Sequence, residues 1–369
     1  MLLSNEEAAR SGNKGTNESR EGTVMTRHTQ RAPGASFGVG SLPHRETADA
    51  VDFAWRSTDI VTIPSLPRRS PAELMVPQAL AGIEGITSGQ YGGIAVDLDA
   101  LDLAGEVVTD LASDSYAGFA AFLDSARERA ELPPLVKWQF VGPLTLAFAL
   151  VRSGLAVEVA APLAQQAVRC HVRALQDEVA RAMPGTTQIV VFDEPLLHDA
   201  LVPDFPVSPD EVLDFVSGAL AAVDTSNVSG VHSCAETDWH ALLSIGAHII
   251  SVPVPSASDG EQMAALAAAT PRIVEHLEMG GHIAWGAIRT DGPIAATADR
   301  SWKNLAAVMC ALVKQGVDPL LVRRNCFVTP ANGLDAHSVS VAERVFSHTR
   351  DLASRIADQA TASLLTLGS

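Results

Sequence analysis

Val231-His232-Ser233-Cys234 closes a short apolar run with two side chains that bind metals. On a strand, residues two apart point to the same face, so His232 and Cys234 offer an imidazole and a thiol to one space. Both are good zinc ligands, and a thiol held by zinc becomes a thiolate nucleophile. Two ligands make half a site, and the same pair also reads as packed core, where free cysteine is common. Asp193-Glu194-Pro195 ends a second apolar run with two carboxylates. It reads as a binding acid, or as a strand-to-helix turn in which Asp193 caps the next segment. Gly40-Ser41 ends a third run and reads as a ligand-holding loop or as a simple tight turn.

These groups meet only if strands carry them to one place. From Ser36 onward, eight short runs alternate with helical patterns. The runs are Ser36 to Pro43, Asp59 to Pro64, Leu135 to Pro143, Gln188 to Pro195, Val228 to Cys234, His248 to Val254, His282 to Ile288 and Asn325 to Pro330. They are short, often β-branched and bounded by Gly, Pro or polar residues, as buried strands are. Amphipathic stretches lie between them, clearest at Glu46 to Arg56, Tyr116 to Arg129, Ala156 to Met183, Ser208 to Val223, Glu261 to Glu278 and Ala295 to Gln315. Such alternation implies an α/β fold with a parallel sheet and helical crossovers. Eight units favour a closed (β/α)8 TIM barrel over an open doubly wound sheet. Gly85 to Asp99 breaks the alternation and reads as a hairpin or loop over the barrel mouth. No internal repeat is visible.

The expected organisation is a polar, disordered tail over residues 1–33, then a single barrel domain over 34–369. The opening residues lack the apolar segment of a secretory signal. The chain has 369 residues, 47% of them apolar and 19% charged, enough to bury a large core, and aromatics at 5% leave Ala, Val and Leu to fill it. A net charge of −17 argues against nucleic acid or an anionic membrane as partner. Four scattered cysteines without a CxxC fit a reducing, cytoplasmic setting. In a barrel, chemistry gathers at the C-terminal strand ends. Here those ends carry acids, a histidine, a thiol and glycines. His248 and His282 open strands and read as structural, and Trp138, Phe140 and Trp285 read as core. Arg289 and Arg68-Arg69 read as anion contacts or as surface ion pairs and solvated loop.

Five motifs in order carry a family resemblance: Gly38-Val39-Gly40-Ser41-Leu42-Pro43, Gly142-Pro143-Leu144-Thr145, Phe192-Asp193-Glu194-Pro195, His232-Ser233-Cys234 and Thr329-Pro330-Ala331-Asn332-Gly333-Leu334. Together, over roughly Ser36 to His348, they resemble the C-terminal catalytic barrel of cobalamin-independent methionine synthase. That fold superfamily also contains uroporphyrinogen decarboxylase. The resemblance implies a methyltransferase that passes a methyl group to the thiol of homocysteine or a related thiol. It also implies zinc as the cofactor, and a folate or a corrinoid as methyl donor. By the same resemblance, Gly40 and Ser41 hold the amino acid part of the substrate, Asp193 binds its ammonium group, and His232 and Cys234 are zinc ligands. Two further family ligands, a glutamate and a cysteine, fall on Pro253 and Asn332 here. Cys326 lies six residues before Asn332, roughly 20 Å away along an extended strand. His337 and Glu236 stand nearer to strand ends as replacements. The alternatives are a superfamily relative with altered chemistry and a non-catalytic binding barrel that has lost the metal site.

Overall fold

The computed structural model describes residues 33–89, 91–201, 207–234 and 238–367, with side chains up to residue 361. The expected tail lies outside these residues except for its last position, as does Glu236.

Seven parallel strands form one curled sheet. In chain order the regular elements begin with α1 (Thr47–Ser57), β1 (Val61–Thr62), α2 (Met75–Leu80), β2 (Ile86–Ser88), β3 (Ile94–Val96) and α3 (Ala117–Arg127). Then come β4 (Leu135–Val141), α4 (Pro143–Arg152), α5 (Val157–Ala182), β5 (Thr187–Asp193), α6 (Leu197–Ala200), α7 (Pro209–Leu220) and β6 (Val228–His232). The last are α8 (Trp239–Ser244), β7 (Ile249–Pro253), α9 (Gly260–Glu278), β8 (His282–Ile288), α10 (Asp299–Lys314), α11 (Pro319–Arg324), β9 (Cys326–Pro330) and α12 (Val339–Leu367). The sheet order is β1-β4-β5-β6-β7-β8-β9, while β2 and β3 form a separate antiparallel hairpin within the segment expected to break the alternation.

The first expected strand, Ser36 to Pro43, does not form a ladder, so the regular strands make a curled seven-stranded sheet rather than an eight-stranded ring. It joins the sheet by isolated bridges, Ser36 to Val328 and Ser41 to Ser65. Phe37 N–H donates to Val328 O on the β9 side, and Ile60 N–H donates to Ser36 O on the β1 side. Two features interrupt regular pairing between these points. Gly38 N–H donates to the Thr62 hydroxyl instead of a backbone carbonyl, and Gly40 turns at φ +141°.

The strands alternate as a two-faced buried sheet requires. Ala35, Phe37, Ile60, Leu135, Ile189, Val191, Val228, Ile249, Ala284 and Phe327 pack together as an apolar plug inside the curl. Val136, Trp138, Phe140, Val190 and Phe192 face the other way, into a cluster shared with α3 and α5. Trp138, Trp285 and Phe140 are buried core residues as expected. Among the described residues no helix is long and apolar enough to cross a membrane.

Candidate functional site

Register decides what meets at the top of the sheet. Val141 pairs with Asp193, Asp193 with His232, and His232 with Ser251. Three side chains from three neighbouring strands therefore stand at one level above the apolar plug. The extended segment adds Ser41, and the loop after β9 adds Asn332 and Asp335. A cavity of about 260 Å³ opens among them, lined by Ser41, Asp193, His232, Cys234, Asn332 and Asp335. Four of the five residues singled out in the sequence thus face one space. Gly40 lies behind it, where its C=O accepts from Ser65 N–H and Leu42 N–H donates back to Ser65 O.

The glycines of the motifs are explained by their neighbours. A Cβ on Gly40 would stand 1.8 Å from Gln139 Oε1, and one on Gly333 would stand 1.9 Å from Ser41 Oγ. Ser41 Oγ donates to Asp335 Oδ1 at 2.9 Å, and Leu334 N–H donates to Ser41 O. The first and last motifs are therefore one interlocked unit. Arg68 Nε donates to Asp335 O at 2.7 Å and clamps the same loop from outside.

Glu194 has a structural task that the sequence did not reveal. Its buried carboxylate accepts from Leu144 N–H at 2.9 Å, Thr145 N–H at 2.8 Å and Thr145 Oγ at 2.6 Å. It thereby caps the positive start of α4, which opens on Pro143. Burial still pushes its carboxyl up to about 7.

Asp193 is nearly completely buried, and its Oδ1 has no hydrogen-bond partner. Asn332 Oδ1 and Thr329 Oγ are also buried without partners. Such orphans are costly unless a bound group or water satisfies them. Burial pushes Asp193 up to about 7, against the pull of the Lys137 ammonium. His232 Nδ1 hydrogen-bonds Ser251 Oγ at 3.0 Å. Burial, then the nearby Lys137 charge, lowers its pKa to about 4, so the imidazole is neutral at pH 7. Burial and then the Asp193 carboxylate push the Cys234 thiol up.

Lys137 and Gln139, inward-facing on β4, belong to this site and were not singled out from the sequence. The visible signal was a lysine inside an otherwise apolar strand. Lys137 is buried, with Nζ donating to Val39 O and, at 3.2 Å, to Gln139 Oε1.

The described residues do not gather a set of ligands for the expected metal. Among the described residues no three His, Cys, Asp or Glu side chains group closely enough to hold a metal ion. Pro253 ends β7 with no donor atom, and Asn332 carries a neutral amide. His337 Nε2 donates to Thr290 O at 2.9 Å and is outside the cavity lining. Cys326 is buried at the opposite end of β9, its Sγ donating to Arg323 O. His282 is structural, bonded to Gly280 O and stacked on Phe327, and His248 Nδ1 bonds Ser229 Oγ. Arg69 pairs with Glu73 and Asp114, and Arg289 with Asp291. A cavity of about 290 Å³ lies beside Arg289 at the end of β8. It contains none of the motif residues proposed to bind substrate or metal and none of the orphaned polar atoms.

No protein-family model matches the chain, and no curated protein matches its sequence. Solved structures share the fold, among them these two. A methyltransferase from Methanosarcina mazei is 14% identical, with 90% of this chain and 98% of that one covered and a TM-score of 0.52. A candidate vitamin-B12-independent methionine synthase from Listeria monocytogenes is 12% identical, with 89% and 98% covered and a TM-score of 0.58. The class this defines is an α/β fold with a curled parallel sheet wrapped in helices.

Proposed function

We propose that this chain is a methyltransferase acting on the thiol of homocysteine or a related small thiol, with residues 34–42 completing a (β/α)8 ring around the pocket. The observation that carries the reading is the orphaned Asp193 Oδ1, buried in a cavity that also presents Ser41, His232 and Cys234. A buried carboxyl oxygen without a donor suits a substrate ammonium group, which would favour its charged form. Ser41, presented by the turn at Gly40, holds the rest of the amino acid moiety, which directs the thiol toward His232 and Cys234. In the transfer the sulfur forms the S–CH3 bond, and the methyl-to-donor bond breaks with its electron pair leaving on the folate nitrogen or the corrinoid cobalt. The thiol proton passes by way of a pocket base to solvent or to the departing folate nitrogen. Neutral His232 and the Asp193 carboxylate are the basic groups on the pocket wall.

Zinc would supply thiolate activation if bound, but a catalytic zinc takes three protein ligands. The described residues do not group three, so they do not fit a protein-held zinc and no step is drawn through one. That mismatch favours a second reading, a relative with altered chemistry on the same amino-acid pocket. The test is methionine formation from homocysteine with methyltetrahydrofolate and, separately, methylcobalamin as donor. Wild type is expected to transfer from at least one donor, and Asp193→Asn to lose about 30-fold or more, as expected for a charged hydrogen bond. Binding of homocysteine without transfer from either donor supports the second reading. Absence of both overturns the pocket assignment.

A further inference from the structure

Lys137 sits where a lysine is least expected. It is on β4, a strand otherwise apolar except for Gln139, and it points inward with Leu135 and Gln139. Its Cα pairs with Ile189, four residues below Asp193 on β5. That places its backbone in the plug and requires its stem to rise toward the pocket floor. There Nζ donates to Val39 O and Gln139 Oε1. Val39 and Gln139 both line the cavity with Asp193. A buried cation in this position costs folding energy unless an anion answers it. The charged or titratable side chains lining the cavity include Glu73, Asp193, His232, Cys234 and Asp335. Glu73 pairs with Arg69 and Asp335 accepts from Ser41, while Asp193 and His232 feel the Lys137 charge. His232 is neutral, and Cys234 is held as the thiol. Asp193 supplies the answering charge through space, and each group favours the charged form of the other.

We propose that Lys137 is a positioning residue acting through Asp193: it pins the Val39–Ser41 turn from below and supplies the counter-charge that presents the Asp193 carboxylate to a cationic group of the ligand. The proposal rests on the reading of Asp193 as the ammonium holder. Lys137 does not touch the ligand. It makes the pocket selective for molecules with an ammonium group over the same molecules without one.

Two measurements test it. Lys137→Gln keeps an amide donor but removes the charge. Thermal melting of Lys137→Gln, Asp193→Asn and the double variant measures the coupling without any ligand. The double variant is expected to melt above Lys137→Gln alone, because removing the second partner relieves an unanswered buried charge. A double variant whose drop in melting temperature equals the sum of the single drops overturns the coupling. Failure of Lys137→Gln to fold while the double variant folds supports it, and failure of both overturns it. Calorimetry with homocysteine and 4-mercaptobutanoate, the same chain without its ammonium group, then reads selectivity. Lys137→Gln is expected to lose about tenfold of the preference for homocysteine. Equal weakening of both ligands would show packing alone and overturn the proposal. If wild type prefers neither, the ammonium reading of the pocket fails, and the melting cycle still decides whether Lys137 and Asp193 are coupled.

Discussion

Gly142 lies so close to Glu194 that a Cβ on it would stand 2.1 Å from the carboxylate Oε1. The two motifs they belong to are therefore one device: the acid from the end of β5 caps α4, and the glycine makes room for it. The same logic joins Ser41 to Gly333 and Gly40 to Gln139.

Gly142→Ala should be destabilising by about 2–3 kcal/mol, because the carboxylate can yield only by releasing the amides it caps. Urea unfolding measures this. A loss below about 0.5 kcal/mol, the range of neutral surface changes, would mean that Glu194 moves freely.

Gly333→Ala should push Ser41 off Asp335 and cost about 1–2 kcal/mol. The Ser41→Ala/Gly333→Ala double variant should then lose clearly less than the sum of the two single losses, since neighbouring changes are not additive. Full additivity would separate the two residues.

Burial raises Glu194 from an ordinary 4.5 to about 7. The folded chain then holds a proton there that the unfolded chain has released, so this group's contribution is fully present below about pH 4.5 and is lost as pH rises through 7. Buried His171, His232 and His282, each lowered to about 4, act in the opposite sense below pH 6.5. The clean readout is therefore differential. The stability advantage of wild type over Glu194→Gln should shrink between pH 5 and pH 8 in chemical unfolding. An advantage that stays flat over this range would show the carboxylate ionised throughout.

Zinc titration with chelator competition should find only weak binding in wild type, weaker still in Cys234→Ser. Asn332→Cys places a thiol on the pocket wall with His232 and Cys234, and should tighten binding about tenfold or more. Tight stoichiometric zinc that survives Cys234→Ser would place the metal elsewhere.

Strand identity was legible where side-chain chemistry is purely local. His282–Ile288 is read to the residue, and β4 and β5 nearly so, because β-branched and aromatic runs between polar breaks leave little choice. Ser36 to Pro43 was over-read, since Gly38 and Gly40 fit a strand pattern but divert their hydrogen bonds. The helix at Pro143 was missed because proline reads as a stop, while here it is the first helical residue and its cap comes from Glu194, 51 positions on. Lys137 was missed for the same kind of reason: its role depends on Val39 and Asp193, which only the folded sheet brings near. The pocket's membership followed from strand ends. Whether three metal-ligand side chains converge depends on side-chain placement, which motif spacing does not fix; among the described residues none do.

The hydrogen bond from Ser41 to Asp335 spans 294 positions, and Ser36 meets Val328 on the same seam. Closing so long a loop carries a large entropic cost before any contact rewards it. A chain emerging from the ribosome therefore makes its Gly-Ser turn long before the loop after β9 that completes the pocket wall. Ligand competence waits on the loop after β9 and joins two segments 294 positions apart.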